Sequence, residues 1–137
     1  MEISPGLGVA IMMNNYFHDV ATALMVASAF CIFALAKTCD EFDDPVAARF
    51  YLKTYRQMGR IFRFALYWIV IGGIPRTIFY TSFEWANAAG KGQVPALVVK
   101  HVLMVVMVVF GITAWRRLKA RAVRLEDSLV RESGERV

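Results

Sequence analysis

The sequence predicts an all-α integral membrane protein: three transmembrane helices, with helices two and three extended into the cytoplasm. Three observations predict it. First, the chain is 58% hydrophobic over 137 residues, with a mean hydropathy of +0.47. That is too apolar for an ordinary soluble domain of this length. Second, three apolar runs stand apart: Phe17 to Ala36, Phe64 to Phe83 and Val94 to Trp115. They are continuous rather than alternating, so they read as helices and not barrel strands, and about 20 residues suffice to cross a bilayer. Third, the charges are segregated. No Lys or Arg precedes Lys37, and 13 of the 16 basic residues lie either between Lys37 and Arg63 or from Arg116 onward. With three spans those two segments share a side, which the distribution of basic residues marks as cytoplasmic.

Residues 1–137 read as one membrane domain, with spans of about 16–37, 62–83 and 94–116 and a cytoplasmic helical tail over 117–132. The first 16 residues are mixed. Ser4-Pro5 has the form of a helix start, but Gly6, Gly8, Asn14 and Asn15 count against a helix deep in lipid. Helix one is therefore expected from about Tyr16 to Lys37, with the preceding segment near the outer interface or on a partner. The N-terminus lacks the basic region of a signal peptide and reads as mature sequence.

The run CDEFDDP breaks the chain after helix one. Asp43-Asp44-Pro45 reads as the start of helix two, because acids suit the N-terminal dipole and proline suits the first turn. The helix enters the membrane near Phe62 and is expected to end or kink at Gly72-Gly73-Ile74-Pro75. A kinked continuation reaches Trp85, where Tyr80, Phe83 and Trp85 fit an outer aromatic belt. Pro95 opens helix three. Beyond Trp115, Leu118, Ala122, Leu125 and Leu129 recur at helical spacing, so the helix projects past the membrane. Ser133 to Val137 are expected to fray.

Several function classes drop out. The net charge of +5 is a topology signal rather than a nucleic-acid footprint, with anionic lipid a weaker reading. Cys31 and Cys39 have no disulfide or zinc spacing. There is no Ser/His/Asp arrangement, phosphate-binding glycine loop or HExxH motif.

What remains is the pair of histidines, His18 and His101, the only two in the chain. Counted from Lys37 and Arg116, their depths differ by roughly 6 Å at 1.5 Å per residue. Both fall in the outer half, on helices that run in the same direction. Two neutral imidazoles facing across a bundle are what a haem b iron takes as axial ligands. Arg76 lies near the same depth, and an intramembrane arginine needs a partner. A haem propionate would serve, and Lys100 would be a second propionate partner or would snorkel outward. Other readings stand beside this one. A membrane histidine also serves as an interhelical hydrogen-bond donor, Asp19 beside His18 would mark the interface, and Arg76 would pair with Glu84 or a lipid headgroup. Met12, Met13, Met25, Met104 and Met107, with His101, are soft ligands that suit Cu(I).

A His early in helix one, an Arg in helix two and the Lys100-His101 pair early in helix three resemble small haem-binding membrane proteins. The pattern is similar to the copper-resistance D-type membrane proteins and the membrane-bound, haem-containing protoporphyrinogen oxidase family. It also resembles cytochrome b anchor subunits of respiratory complexes. Most of the likeness lies between Arg76 and Gly111. These families usually have at least four helices, so the resemblance implies a subunit completed by a partner or a second copy.

The resulting expectation is a b-type cytochrome subunit of a bacterial-type inner membrane, N-terminus out and C-terminus cytoplasmic. His18 and His101 would be the iron ligands and Arg76 and Lys100 the propionate partners. Electrons would pass between a quinone pool and a partner redox subunit. The alternatives are a cofactor-free accessory subunit of a larger membrane complex and a copper-handling protein.

Overall fold

The computed structural model describes residues 4–40 and 44–134. These residues are almost entirely helical. Three helices are long and apolar enough to span a membrane, Pro5–Cys39, Pro45–Gly90 and Val94–Arg131.

Helix α1 runs Pro5–Asp40. It begins well before Tyr16, so the expected start is corrected. Ser4 Oγ accepts a hydrogen bond from Leu7 N at 3.4 Å, and Pro5 occupies the first turn. Asn14 does not break the helix because its amide finds a partner, donating from Nδ2 to Gly72 O at 2.8 Å. Hydroxyls along the apolar run are satisfied by their own helix: Thr22 donates to His18 O at 3.1 Å and Ser28 to Leu24 O at 2.7 Å.

Helix α2, Pro45–Phe79, starts as its sequence indicates. Asp44 is extended (φ −126°, ψ 122°) and caps the helix by accepting from Val46 N. Asp43, the other acid of that expected start, lies outside the described residues. The helix passes through Gly72, Gly73 and Pro75 without ending. The irregularity comes later, as a π-helical segment over Tyr80–Trp85. Of the two expectations at Gly72 to Pro75, an end is therefore overturned, and the continuation to Trp85 is present. Pro75 lacks only one donor, and the helix around it is held by packing on α1 and by Thr77 Oγ1 donating to Gly73 O at 2.8 Å.

A short helix α3, Ala86–Gly90, follows. Gly92 makes the turn at φ 66°, a conformation glycine adopts without steric cost. Helix α4 then runs Val94–Gly134 without interruption. At 1.5 Å per residue it is about 60 Å long, twice the hydrocarbon thickness. Glu135 to Val137, part of the segment expected to fray, lie outside the described residues.

Two core clusters hold the helices. Near the basic end, Ile32 and Ala36 of α1 meet Tyr51 and Leu52 of α2 and Leu118 and Ala122 of α4. Further along, Ala21, Met25 and Ala29 pack on Phe62 and Ala65. An aromatic ladder links them: Tyr55 stacks on Trp115 at 5.1 Å between ring centres, and Phe62 stacks on its indole at 4.4 Å. Gly59 lies under Trp115, where a Cβ would sit 3.2 Å from the ring. Arg121 donates to Ala36 O at 3.0 Å, tying α4 to α1. The apolar stretch of α4 otherwise faces outward: Val98, Val102, Val105, Val109 and Phe110 are all exposed. An apolar helix with a bare face suits lipid contact.

Candidate functional site

The candidate site lies at the end of the bundle opposite the basic segments. It is built from one turn of α1, the end of α2, the π-helical segment and the first turns of α4. Arg76 is its centre and is buried, at 7% exposure. Its Nη1 donates to Asp19 Oδ1 at 2.8 Å and lies 3.3 Å from His18 Nδ1. Its Nη2 is 3.1 Å from Glu84 Oε1. Lys100 Nζ closes on the other oxygen of Asp19 at 2.7 Å. The other oxygen of Glu84 is 3.6 Å from His101 Nε2. Two acids and two bases thus form one connected, charge-balanced cluster across the three long helices. Burial of charge is tolerated when each ion is paired and hydrogen-bonded.

Glu84 reaches Arg76 because of the π-helical segment. At 3.6 residues per turn, residue 84 would lie about 80° around the helix from residue 76. The wider turn over Tyr80–Trp85 absorbs one extra residue and returns Glu84 to the face of Arg76.

The hydrogen-bond partners fix the histidine tautomers. His18 is buried, and its Nε2 is 3.1 Å from Ile69 O. A carbonyl only accepts, so Nε2 carries the hydrogen and Nδ1 is the acceptor for Arg76. His101 Nδ1 is 2.7 Å from Leu97 O, so Nδ1–H donates there. Its Nε2 then faces Glu84. The Tyr80 ring meets the His101 ring edge-on at 5.3 Å.

Both histidines line one cavity of ≈ 430 Å³, with Arg76, Tyr80 and Met104 around it and Val105, Val108 and Val109 along the α4 wall. Gly73 also lines it; a Cβ there would lie 3.6 Å from His18 Nε2. Of the residues singled out from sequence, His18, Arg76 and His101 therefore meet at this cavity. Lys100 does not line it and points instead to Asp19. Arg76, expected to meet a propionate, is held by Asp19 and Glu84. The pairing with Glu84 was the alternative that the sequence offered.

Asp19 and Glu84 are the functional-site residues absent from the haem assignment. Depth contained a signal for Asp19. It lies 18 residues before Lys37, and Lys100 lies 16 before Arg116, a difference of about 3 Å. Glu84 was named from the sequence only as an alternative partner of Arg76, because its orientation depends on the π-helical segment.

As a test of haem fit, His101 meets the requirement for an iron ligand, since ligating imidazoles usually donate their other N–H to a carbonyl. His18 also donates to a carbonyl, but its remaining nitrogen is engaged by Arg76. Ligation there requires Arg76 to release Nδ1. Among the described residues no group of three or more His, Cys, Asp or Glu could hold a metal ion. The chain matches no family model, and no curated protein or solved structure is significantly similar to it.

Proposed function

We propose that the protein is a b-type cytochrome membrane subunit that passes electrons between a quinone pool and a partner redox subunit. The observation that carries this reading is the cavity shared by the chain's only two histidines. In this reading the basic end faces the cytoplasm and the site lies toward the outer face of a bacterial-type inner membrane. Haem b, when bound, supplies a one-electron iron couple. His101 offers Nε2, with its tautomer set by Leu97 O. His18 offers Nδ1, with Nε2–H kept on Ile69 O. Arg76 and Lys100 supply positive charge for propionates, in exchange with Asp19 and Glu84. The bundle's exposed apolar faces suit a partner subunit or a second copy.

The test is a reduced-minus-oxidised visible spectrum of the protein purified in mild detergent. A sharp b-type signal that disappears in both His18→Ala and His101→Ala is the expected result. A featureless spectrum with no haem released on denaturation overturns the reading, as does retention of the signal in both variants.

A second reading has its own observation. The four charges of the site satisfy one another without any cofactor. A cofactor-free accessory subunit would need nothing more, and the same spectrum decides between the two. Copper handling rests on His101 and Met104 sharing the cavity wall. Metal analysis with and without Met104→Leu tests it.

A further inference from the structure

A second and larger groove, ≈ 690 Å³, lies between α1 and α4 at the basic end. It is separate from the histidine cavity. Its two walls change character at the same level. On α1, Phe30 and Phe33 give way to Lys37; on α4, Phe110 gives way to Arg117 and Arg124. Residues 110, 117, 121 and 124 recur at intervals of seven, four and three, so they share one helix face. The groove is therefore apolar toward the membrane centre and cationic at its end.

The phenylalanines are exposed, at 64% for Phe30, 57% for Phe33 and 56% for Phe110. Among the described residues Lys37, Arg117 and Arg124 have no ion-pair partner, whereas Arg56 pairs with Glu126 at 2.7 Å. Arg121 also lines the groove and is fixed by its bond to Ala36 O, which gives the cationic end a rigid floor. A ligand complementary to this groove carries an anionic head and an apolar chain. Basic pockets between membrane helices bind such lipid headgroups.

We propose that this groove binds one anionic phospholipid of the adjacent leaflet. The headgroup phosphate sits among Lys37, Arg117 and Arg124, and an acyl chain lies along Phe30, Phe33 and Phe110. The inference does not depend on the haem reading.

The test uses the full chain in a neutral detergent and native mass spectrometry. Retention of phosphatidylglycerol is compared with that of phosphatidylcholine of the same acyl chains. The variant Arg117→Gln/Arg124→Gln removes two groove cations. The control Lys53→Gln/Arg60→Gln removes two exposed cations of α2 outside the groove, with the same change in net charge. Wild type and control should prefer phosphatidylglycerol. The groove variant should bind it roughly 30-fold more weakly, about fivefold per charge. Equal loss in both double variants would reduce the effect to surface potential and overturn the site. So would equal retention of the two lipids by the wild type. Displacement of the lipid by inorganic phosphate at equal concentration would overturn the lipid assignment in favour of a free-phosphate site.

Discussion

Replacing Arg76 with leucine would test whether the charge cluster holds the helices together. The substitution removes the cation shared by Asp19 and Glu84. Asp19 keeps Lys100 at 2.7 Å and is 38% exposed, so its loss is screened and counts for little. Glu84 is only 10% exposed and is left with His101 alone. Leaving one member of a buried pair uncompensated costs about 3–5 kcal/mol, and the Glu84 side dominates here. We expect Arg76→Leu to lower the unfolding free energy by about 3 kcal/mol, roughly a 10²-fold shift in the equilibrium. The assay is denaturation by sodium dodecyl sulfate from mixed micelles, followed by helical circular dichroism. Glu84→Leu alone should also destabilise, because it leaves Arg76 short of a partner. The double variant Arg76→Leu/Glu84→Leu should lose at least about 2 kcal/mol less than the two single losses added together. A loss below about 1 kcal/mol for Arg76→Leu, or strict additivity in the cycle, would refute the argument.

Three further outcomes follow from the same geometry and can be read by the same denaturation assay. Gly59→Leu should cost about 1–3 kcal/mol by overpacking, because a Cβ at 59 already meets Trp115 at 3.2 Å; unchanged stability would mean the aromatic ladder yields freely. Asp44→Ala should cost about 1 kcal/mol through loss of the α2 cap, with Asp44→Asn recovering most of it. Glu126→Gln should change stability by less than about 1 kcal/mol, because its pair with Arg56 is exposed on both sides (67% and 53%).

Much of the fold was legible in the sequence because its determinants are local and continuous. Three apolar runs become three long helices, Asp44-Pro45 becomes the cap and first turn of α2, and the Leu118 to Leu129 spacing becomes the extension of α4. The start of α1 was not legible. Asparagines at 14 and 15 count against a lipid-facing helix, and what overrules them at Asn14 is a carbonyl 58 residues away. Sequence periodicity contains no term for such a partner. The Asn15 carboxamide oxygen remains buried without a hydrogen-bond partner among the described residues.

The site was legible in its depths rather than its contacts. Counting residues from the basic ends places His18, Arg76 and His101 near one level, and the structure puts all three at one cavity. What they touch there was hidden, because pairing depends on helix rotation as well as depth. Asp19 shares its level with Lys100 and could have been paired on that ground. Arg76 was paired with Glu84 only as an alternative, since a strict period of 3.6 turns that glutamate about 80° away.

That last residue has a consequence for how the chain tolerates changes of length. Between Tyr80 and Trp85 the helix contains one residue more than an α-helical path requires. Deleting one residue there, Thr81 for instance, lets the backbone close into a regular ladder and improves its local hydrogen bonding. Glu84 would then follow Arg76 by seven residues, about 20° short of two full turns, and would stay in line with the arginine. The segment therefore takes up one residue without disturbing the charge pairing on either side of it. A shortened chain gains a better helix and keeps its ion pair, whereas tightening the same segment to an α-helix at constant length would turn the glutamate away.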